Sequence, residues 1–254
     1  MSMMGGYKMK WVTLALATAM ASAMPVRATT VSPVVVDLQS AGRGVVANVS
    51  VNNTGASPMP MEVLVQPLKA GADGFSPAGP DDENLIVVPP SAIIPAGQTQ
   101  TFRVQWAGDP ALTESRHYYV GFNQLPVKLP EGQSAVQIVY NFQVLVNVAS
   151  PAGKPALSIQ STSVGEHEGK PAPVLHVRND GDAYGYLSQH RIAISEKDAA
   201  GKEIFSRTMS GAEFQQLVGY GLVAAHQTRT LTIPVELPSK SGQVTATMLE
   251  ERQR

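Results

Sequence analysis

Between Gln133 and Pro151 apolar residues recur at every second position. Val136, Ile138, Tyr140, Phe142, Val144, Val146 and Val148 share one face, and Gln137, Asn141, Gln143 and Asn147 the other. A period of two is the signature of a β-strand with one buried side. From Val136 to Val148 such a strand would reach about 44 Å, whereas an ordinary strand has about 5 or 6 residues. So long a strand exceeds what closing a single sandwich requires.

Residues 1–28 stand apart from the fold. Lys8 and Lys10 precede an apolar run from Trp11 to Ala23 that is too short to span a bilayer, the pattern of a secretory signal peptide. Small residues fit cleavage after Ala28 or after Ala23, and Ala28 is preferred because a strand pattern begins directly after it. Without Lys8, Lys10 and Arg27 the chain keeps 16 of its 19 basic groups against 20 acidic ones, a net charge of −4. That balance gives no general attraction to nucleic acid. No later segment has 18 unbroken apolar residues, so membrane insertion is not expected. With no cysteine, export brings no disulfide framework and stability must come from apolar cores. The remaining 226 residues suffice for two.

Helical periodicity is nearly absent. Short β-branched runs near 30–38, 45–53, 60–66, 85–88, 99–106, 116–127 and 134–148 give about seven strands, the number of an immunoglobulin-like sandwich. Pro151-Ala-Gly-Lys-Pro155 then breaks the pattern, since proline cannot donate to a ladder and glycine permits a sharp turn. Runs near 157–164, 173–178, 186–195, 202–206, 228–235 and 243–249 point to a second β-sandwich, with Ser210–Ala225 ambiguous and able to hold one short helical turn. The fold class is therefore all-β: a signal peptide (1–28), an immunoglobulin-like domain (29–150), a short Pro/Gly hinge (151–155) and a second sandwich (156–254). Lys69–Asn84 and Gly165–Pro173 read as surface loops.

Catalytic and metal motifs fail on spacing. There is no Gly-x-Ser-x-Gly elbow, phosphate-binding loop or Gly-x-Gly-x-x-Gly motif, and His117, His167, His176, His190 and His226 are scattered singly. Asp180-Gly-Asp182 opens like a calcium loop, but Tyr184 and Arg191 occupy positions that need oxygen ligands, so a tight turn explains it better. Glu166 and Glu168 flank His167 without any sign of burial that would tune them. No enzyme, cofactor or metal site is expected.

Three segments carry a family resemblance: Val49-Ser-Val51-Asn-Asn53-Thr-Gly55, Ile94-Pro-Ala-Gly97-Gln-Thr-Gln-Thr-Phe-Arg103-Val, and Tyr118-Tyr-Val-Gly-Phe-Asn-Gln-Leu-Pro126-Val. In this order, with two sandwiches, a proline hinge and a long last strand, the chain resembles the periplasmic pilus-assembly chaperones of the chaperone–usher pathway. The stretch from Phe122 to Lys128 looks most like their archaic branch. The resemblance implies a periplasmic, non-enzymatic chaperone that lends its long strand to a pilus subunit lacking one and passes the subunit to an outer-membrane usher. Main-chain hydrogen bonds would give affinity and alternate side chains would enter pockets. Val136, Ile138, Tyr140, Phe142 and Val144 are the candidate donors, although Val144–Val148 could instead close the resident core. A second copy of the chain is an alternative cover for this edge in the free protein.

The family also anchors the subunit's terminal carboxylate on basic residues in the cleft between domains. Neither Ser32–Asp37 nor Val144–Val148 holds one. If 116–127 and 134–148 pair as a hairpin turning near residue 131, Arg116 falls opposite Val146 and approaches the cleft, where a guanidinium could hold a carboxylate bidentately. Arg116 is thus the first candidate anchor, Arg103 the second and Lys128 the third. The rival readings are a secreted adhesin or carbohydrate-binding module, which would need exposed aromatic platforms when Trp106 is the only tryptophan after the signal peptide, and a pilus subunit, which the two-domain length disfavours.

Overall fold

The computed structural model describes residues 29–79, 83–126 and 138–250. The signal peptide, Val136 and Lys128 lie outside these residues. Ten strands build the first half: β1 (Thr30–Ser32), β2 (Val35–Gln39), β3 (Val46–Asn52), β4 (Met59–Gly71), β5 (Gly74–Pro77), β6 (Leu85–Val88), β7 (Ser91–Ile94), β8 (Thr99–Trp106), β9 (Arg116–Gln124) and β10 (Asn141–Ala149). They form two sheets, ordered β1-β3-β8-β6 and β2-β10-β9-β4-β5, with β7 also beside β4. Period-two alternation turns Val49, Val51, Phe102 and Val104 of one sheet toward Val120, Phe122, Val144 and Val146 of the other. Phe102 and Phe122 meet edge-on across the gap, ring centres 4.9 Å apart.

The expected strand 30–38 is two strands. Pro33 has no N–H for a ladder, and there the chain leaves β3, with which β1 pairs, to run parallel to β10 as β2. The segment read as a loop from Lys69 contains the end of β4 and all of β5, paired from Leu68↔Pro77 to Gly71↔Gly74 around a two-residue turn. Gly74, at φ 140°, allows that reversal. The short β7, directly after Pro89-Pro90, was also not expected. Regular strand in β10 begins only at Asn141, although Tyr140 O still accepts from Gln124 N at 2.8 Å. The β9–β10 register is two residues from the expected one, with Arg116 opposite Val148.

The second half holds β11 (Leu157–His167), β12 (Lys170–Asn179), β13 (Gly185–Tyr186), β14 (His190–Lys197), β15 (Glu203–Met209), α1 (Gly211–Val218), β16 (Leu222–Val223), β17 (Thr228–Thr232) and β18 (Gln243–Glu250). Its sheets run β11-β12-β17 and β15-β14-β18, with β13 paired to β16, around a separate core that includes Leu175, Val177, Ile192, Ile194 and Phe214. Where a helical turn was the most expected, α1 is a two-turn helix. Ser210 Oγ accepts from Glu213 N at 3.2 Å while the Glu213 carboxylate accepts from Ser210 N at 2.9 Å, and Phe214 turns inward. The Asp180-Gly-Asp182 segment is a turn, with Gly181 N donating to Asn179 Oδ1 at 3.0 Å. Among the described residues no helix is long and apolar enough to cross a membrane.

Glu196 continues the buried row Ile192–Ile194 of β14. It is fully enclosed, and neither carboxylate oxygen has a hydrogen-bond partner. An unmatched buried polar group costs about 1–3 kcal/mol, more if charged. Glu196→Met keeps the length without the unmatched oxygens and is expected to stabilise the second sandwich by about 1–3 kcal/mol. A denaturant titration would register this as a higher midpoint at unchanged slope.

Candidate functional site

β10 is held unequally on its two sides. β9 pairs with it from Asn141↔Asn123 to Val148↔Arg116, whereas β2 covers only Leu145–Ala149. Among the described residues no strand lies beside Asn141–Val144 on the side away from β9. Leu145 N donates outward to Val34 O at 3.0 Å and Tyr140 O accepts inward from Gln124 N, so alternation turns the main-chain N–H and C=O of Asn141 and Gln143 to the uncovered edge.

The apolar row of this strand climbs out of the core along that edge. Val144, Val146 and Val148 are wholly buried, Phe142 and Tyr140 pack on the core margin as a parallel stack 5.9 Å apart, and Ile138 is 70% exposed. This corrects one expectation: Val144 is enclosed by its own domain and is not free to be lent. Ile138, Tyr140 and Phe142 are the outlying members of the row, while the fifth candidate, Val136, is outside the described residues.

The opposite face of the same sheet meets the second sandwich. Val36 and Leu38 point into the core, so Asp37 points out, as do Asn147 beside it on β10 and His117 beside that on β9. The segment around β13 closes over them. Tyr184 and Tyr186 hydroxyls donate to Asp37 Oδ1 at 2.8 and 2.6 Å, and Asn147 Nδ2 reaches the same oxygen at 3.3 Å and Tyr186 Oη at 2.8 Å. Burial and the Asp37 charge push both phenol pKa values far up, so both stay protonated donors. Tyr184 N donates to Ser115 Oγ at 2.8 Å, and Thr230 N to Ala72 O at 2.8 Å, giving further ties between the halves.

His117 lies beneath this cover. Nδ1 meets Asn147 Oδ1 at 2.7 Å, and with Asn147 Nδ2 already donating to oxygens, the histidine is the donor. Nε2 is buried beside the rings of Phe75 and Tyr184 and has no hydrogen-bond partner among the described residues. Burial outweighs the Asn147 hydrogen bond and the Asp37 charge and lowers its pKa to about 4.

The two arginines expected at the cleft are placed differently. Arg116 stands exposed at the cleft's rim, next to Ser115, but belongs to the inward row of Tyr118, Val120 and Phe122 and not to the face of Asp37, Asn147 and His117. Arg103 is a correction: on β8, between Asn48 and Val88 in the other sheet, it alternates with buried Phe102 and Val104 and so faces solvent on that sheet's outer side. The cation brought to the interface is Arg229 of β17. Half-buried, it donates to Leu222 O, leaves Nε unpartnered and feels the nearby Tyr119, and burial lowers its pKa. Hairpin register within one domain carries no information on residues of the other, so the sequence held no signal for Arg229, Tyr184 or Tyr186. Asp37 was legible only as the lack of a base.

The cleft is expected to weaken in acid. Unfolded, His117 binds a proton near its ordinary pKa of 6.5, but folded it resists until about 4. Its contribution is therefore intact above pH 6.5 and falls away between 6.5 and 4, by about 3 kcal/mol in all. Thermal unfolding across this range should show the loss in the wild type and a flatter profile in His117→Gln; parallel profiles would refute the assignment.

No protein-family model matches the chain, and no curated protein sequence does. Solved structures do match. The class 5 fimbriae chaperone CfaA superposes with TM-score 0.52 at 14% identity, covering 87% of this chain and 99% of that one. A chain of the chaperone–tip adhesin complex of CFA/I fimbriae biogenesis gives TM-score 0.50 at 12% identity, with 89% and 100% covered. One from the CsuC–CsuE pre-assembly complex of archaic chaperone–usher Csu pili of Acinetobacter baumannii gives 0.47 at 10%, with 82% and 91% covered. With both sandwiches and the connection between them matched over almost the full length of CfaA, this chain has the two-domain all-β fold of the fimbrial chaperones.

Proposed function

We propose that the protein is a non-enzymatic periplasmic chaperone that captures pilus subunits on the uncovered half of β10, completes their sandwich with it and hands them to an outer-membrane usher. The observation that carries this reading is the coincidence, over one stretch, of main-chain groups at Asn141 and Gln143 that have no strand partner among the described residues with an apolar row leading from the core to exposed Ile138. An incoming edge strand would take the hydrogen bonds, and its domain would receive Ile138, Tyr140 and Phe142. No cofactor or nucleotide enters this scheme. The energy comes from the subunit's own unfinished core. Residues 1–28 direct the chain to the periplasm.

For a subunit's terminal carboxylate, Arg116 is the anchor proposed, because it is exposed at the rim and no carboxylate lies within 4 Å of it among the described residues. A glycan-binding role has less support. Trp106 is buried in the first core and its Nε1 donates to Asp109 O at 3.1 Å, so its indole offers no stacking platform.

The test is co-expression of the tagged protein with the secreted β-rich proteins encoded nearby, followed by recovery from the periplasm. Ile138→Asp removes an apolar donor without touching the resident core and is expected to reduce capture at least tenfold, the equivalent of about 1.5–3 kcal/mol of lost burial. Arg116→Ala should weaken capture while leaving the fold unchanged. Undiminished capture by Ile138→Asp would remove the proposed role of β10.

A further inference from the structure

We infer that the interdomain cleft holds a site for a cationic side chain, a lysine ammonium or arginine guanidinium, centred on Asp37. A cavity of about 310 Å³ opens between the halves where β2 meets the connection to the second sandwich. Asp37, Tyr184 and Tyr186 line it, together with Gln39, Ser150 and Gln189. Among the described residues no lysine, arginine or histidine lines it.

The chemistry of Asp37 sets the sign of the ligand. All three of its donors, the two phenols and the Asn147 amide, converge on Oδ1. Among the described residues none reaches Oδ2, and no cation lies within 4 Å of the carboxylate. The carboxylate is thus fixed in orientation by neutral donors and left with an oxygen and a full charge to offer. An anion entering here would meet that charge at short range. A cation would meet the carboxylate, two electron-rich rings and neutral acceptors.

The owner of the side chain follows from the edge beside it, and this part rests on the chaperone reading. A strand laid along Asn141–Gln143 runs in line with β2 and ends against Val34, three residues or about 10 Å from Asp37. A bound subunit leaving the edge there needs one or two further residues to bring a lysine or arginine into the cavity. The site would then select subunits by a basic side chain near the end of the captured strand.

The cavity can be tested without any subunit, so its failure is separate from failure of the chaperone reading. Nα-acetyl-arginine amide, Nα-acetyl-lysine amide, the isosteric neutral Nα-acetyl-citrulline amide and anionic N-acetylglycine would each be titrated into the ¹⁵N-labelled full chain. The cationic probes are expected to give saturable shifts at the amides of Gln39, Tyr184 and Gln189, with citrulline roughly tenfold weaker. Asp37→Asn, which keeps an oxygen for the phenols, should weaken the cationic probes by roughly the same factor. Equal response to arginine and citrulline, shifts from N-acetylglycine alone, or no shift from either cationic probe would each overturn the inference, and the citrulline comparison needs no variant to fold.

Discussion

Pro33 sets the condition on which the edge of the first sandwich depends. A strand running unbroken from Thr30 through Gln39 would have stayed with β3 and left β10 wholly bare on one side. The break moves the chain across the sandwich, and β2 then reaches only as far as Leu145. Half of β10 is therefore built in, clamped between two strands with Val146 and Val148 in the core, while the other half rests, among the described residues, on β9 alone. Rigidity comes from the first half and availability from the second. A free strand would have to be ordered on binding, at about 1–2 kcal/mol of backbone entropy per residue, whereas Asn141–Val144 are already extended.

The interface between the halves is the second constraint, and it is polar. Asp37, Asn147 and His117 come from three adjacent strands of one sheet, and Tyr184 and Tyr186 from the other domain complete their hydrogen bonds. Such a network is geometrically exacting: removing the Tyr186 phenol takes an acceptor from the buried Asn147 amide, at about 1–3 kcal/mol. It fixes how the sandwiches meet and also consumes the cleft's hydrogen-bonding capacity on one oxygen of Asp37. The basic groups stand apart from it, Arg116 at the rim and Arg229 against Tyr119. The cleft is therefore electrostatically divided, with acid at its hinge end.

The two-sandwich fold was legible because alternation and proline are local signals. The row from Ile138 to Val148 could be assigned to one face by counting, and Pro151 and Pro155 fall in a connection without strand. The register estimate missed by two residues yet kept the correct parity, since a turn displaced by one residue slides both arms together. Parity put Arg116 near the cleft but could not say that the opposite face of its sheet is the one covered by the second domain, because alternation carries no information on another domain. Arg103 was drawn toward the cleft by its motif although its strand belongs to the other sheet. The β4–β5 hairpin was hidden by glycine, alanine and proline, which mark turns more often than strands, whereas α1 showed as a possible helical turn within Ser210–Ala225 and only its second turn was missed. Tyr184 and Tyr186 gave no signal, since their role exists only once the domains meet.

An uncovered edge carries a risk of pairing with the wrong strand, and the dimensions of this one limit it. Among the described residues Asn141–Val144 are the part of β10 without an outer neighbour, and the outward main-chain groups belong to Asn141 and Gln143, whose side chains are polar. Four main-chain hydrogen bonds, at about 0.5–1.5 kcal/mol each, do not hold a generic strand against an association cost of about 4–15 kcal/mol. The deficit must be met by apolar burial of Ile138 and the margins of Tyr140 and Phe142. An ordinary folded surface has no groove to receive them, but a sandwich lacking one strand does, along its whole length. On the proposed function, selectivity for an unfinished β-domain would follow from an edge too short to bind by its backbone alone and a side-chain row that only a groove can bury.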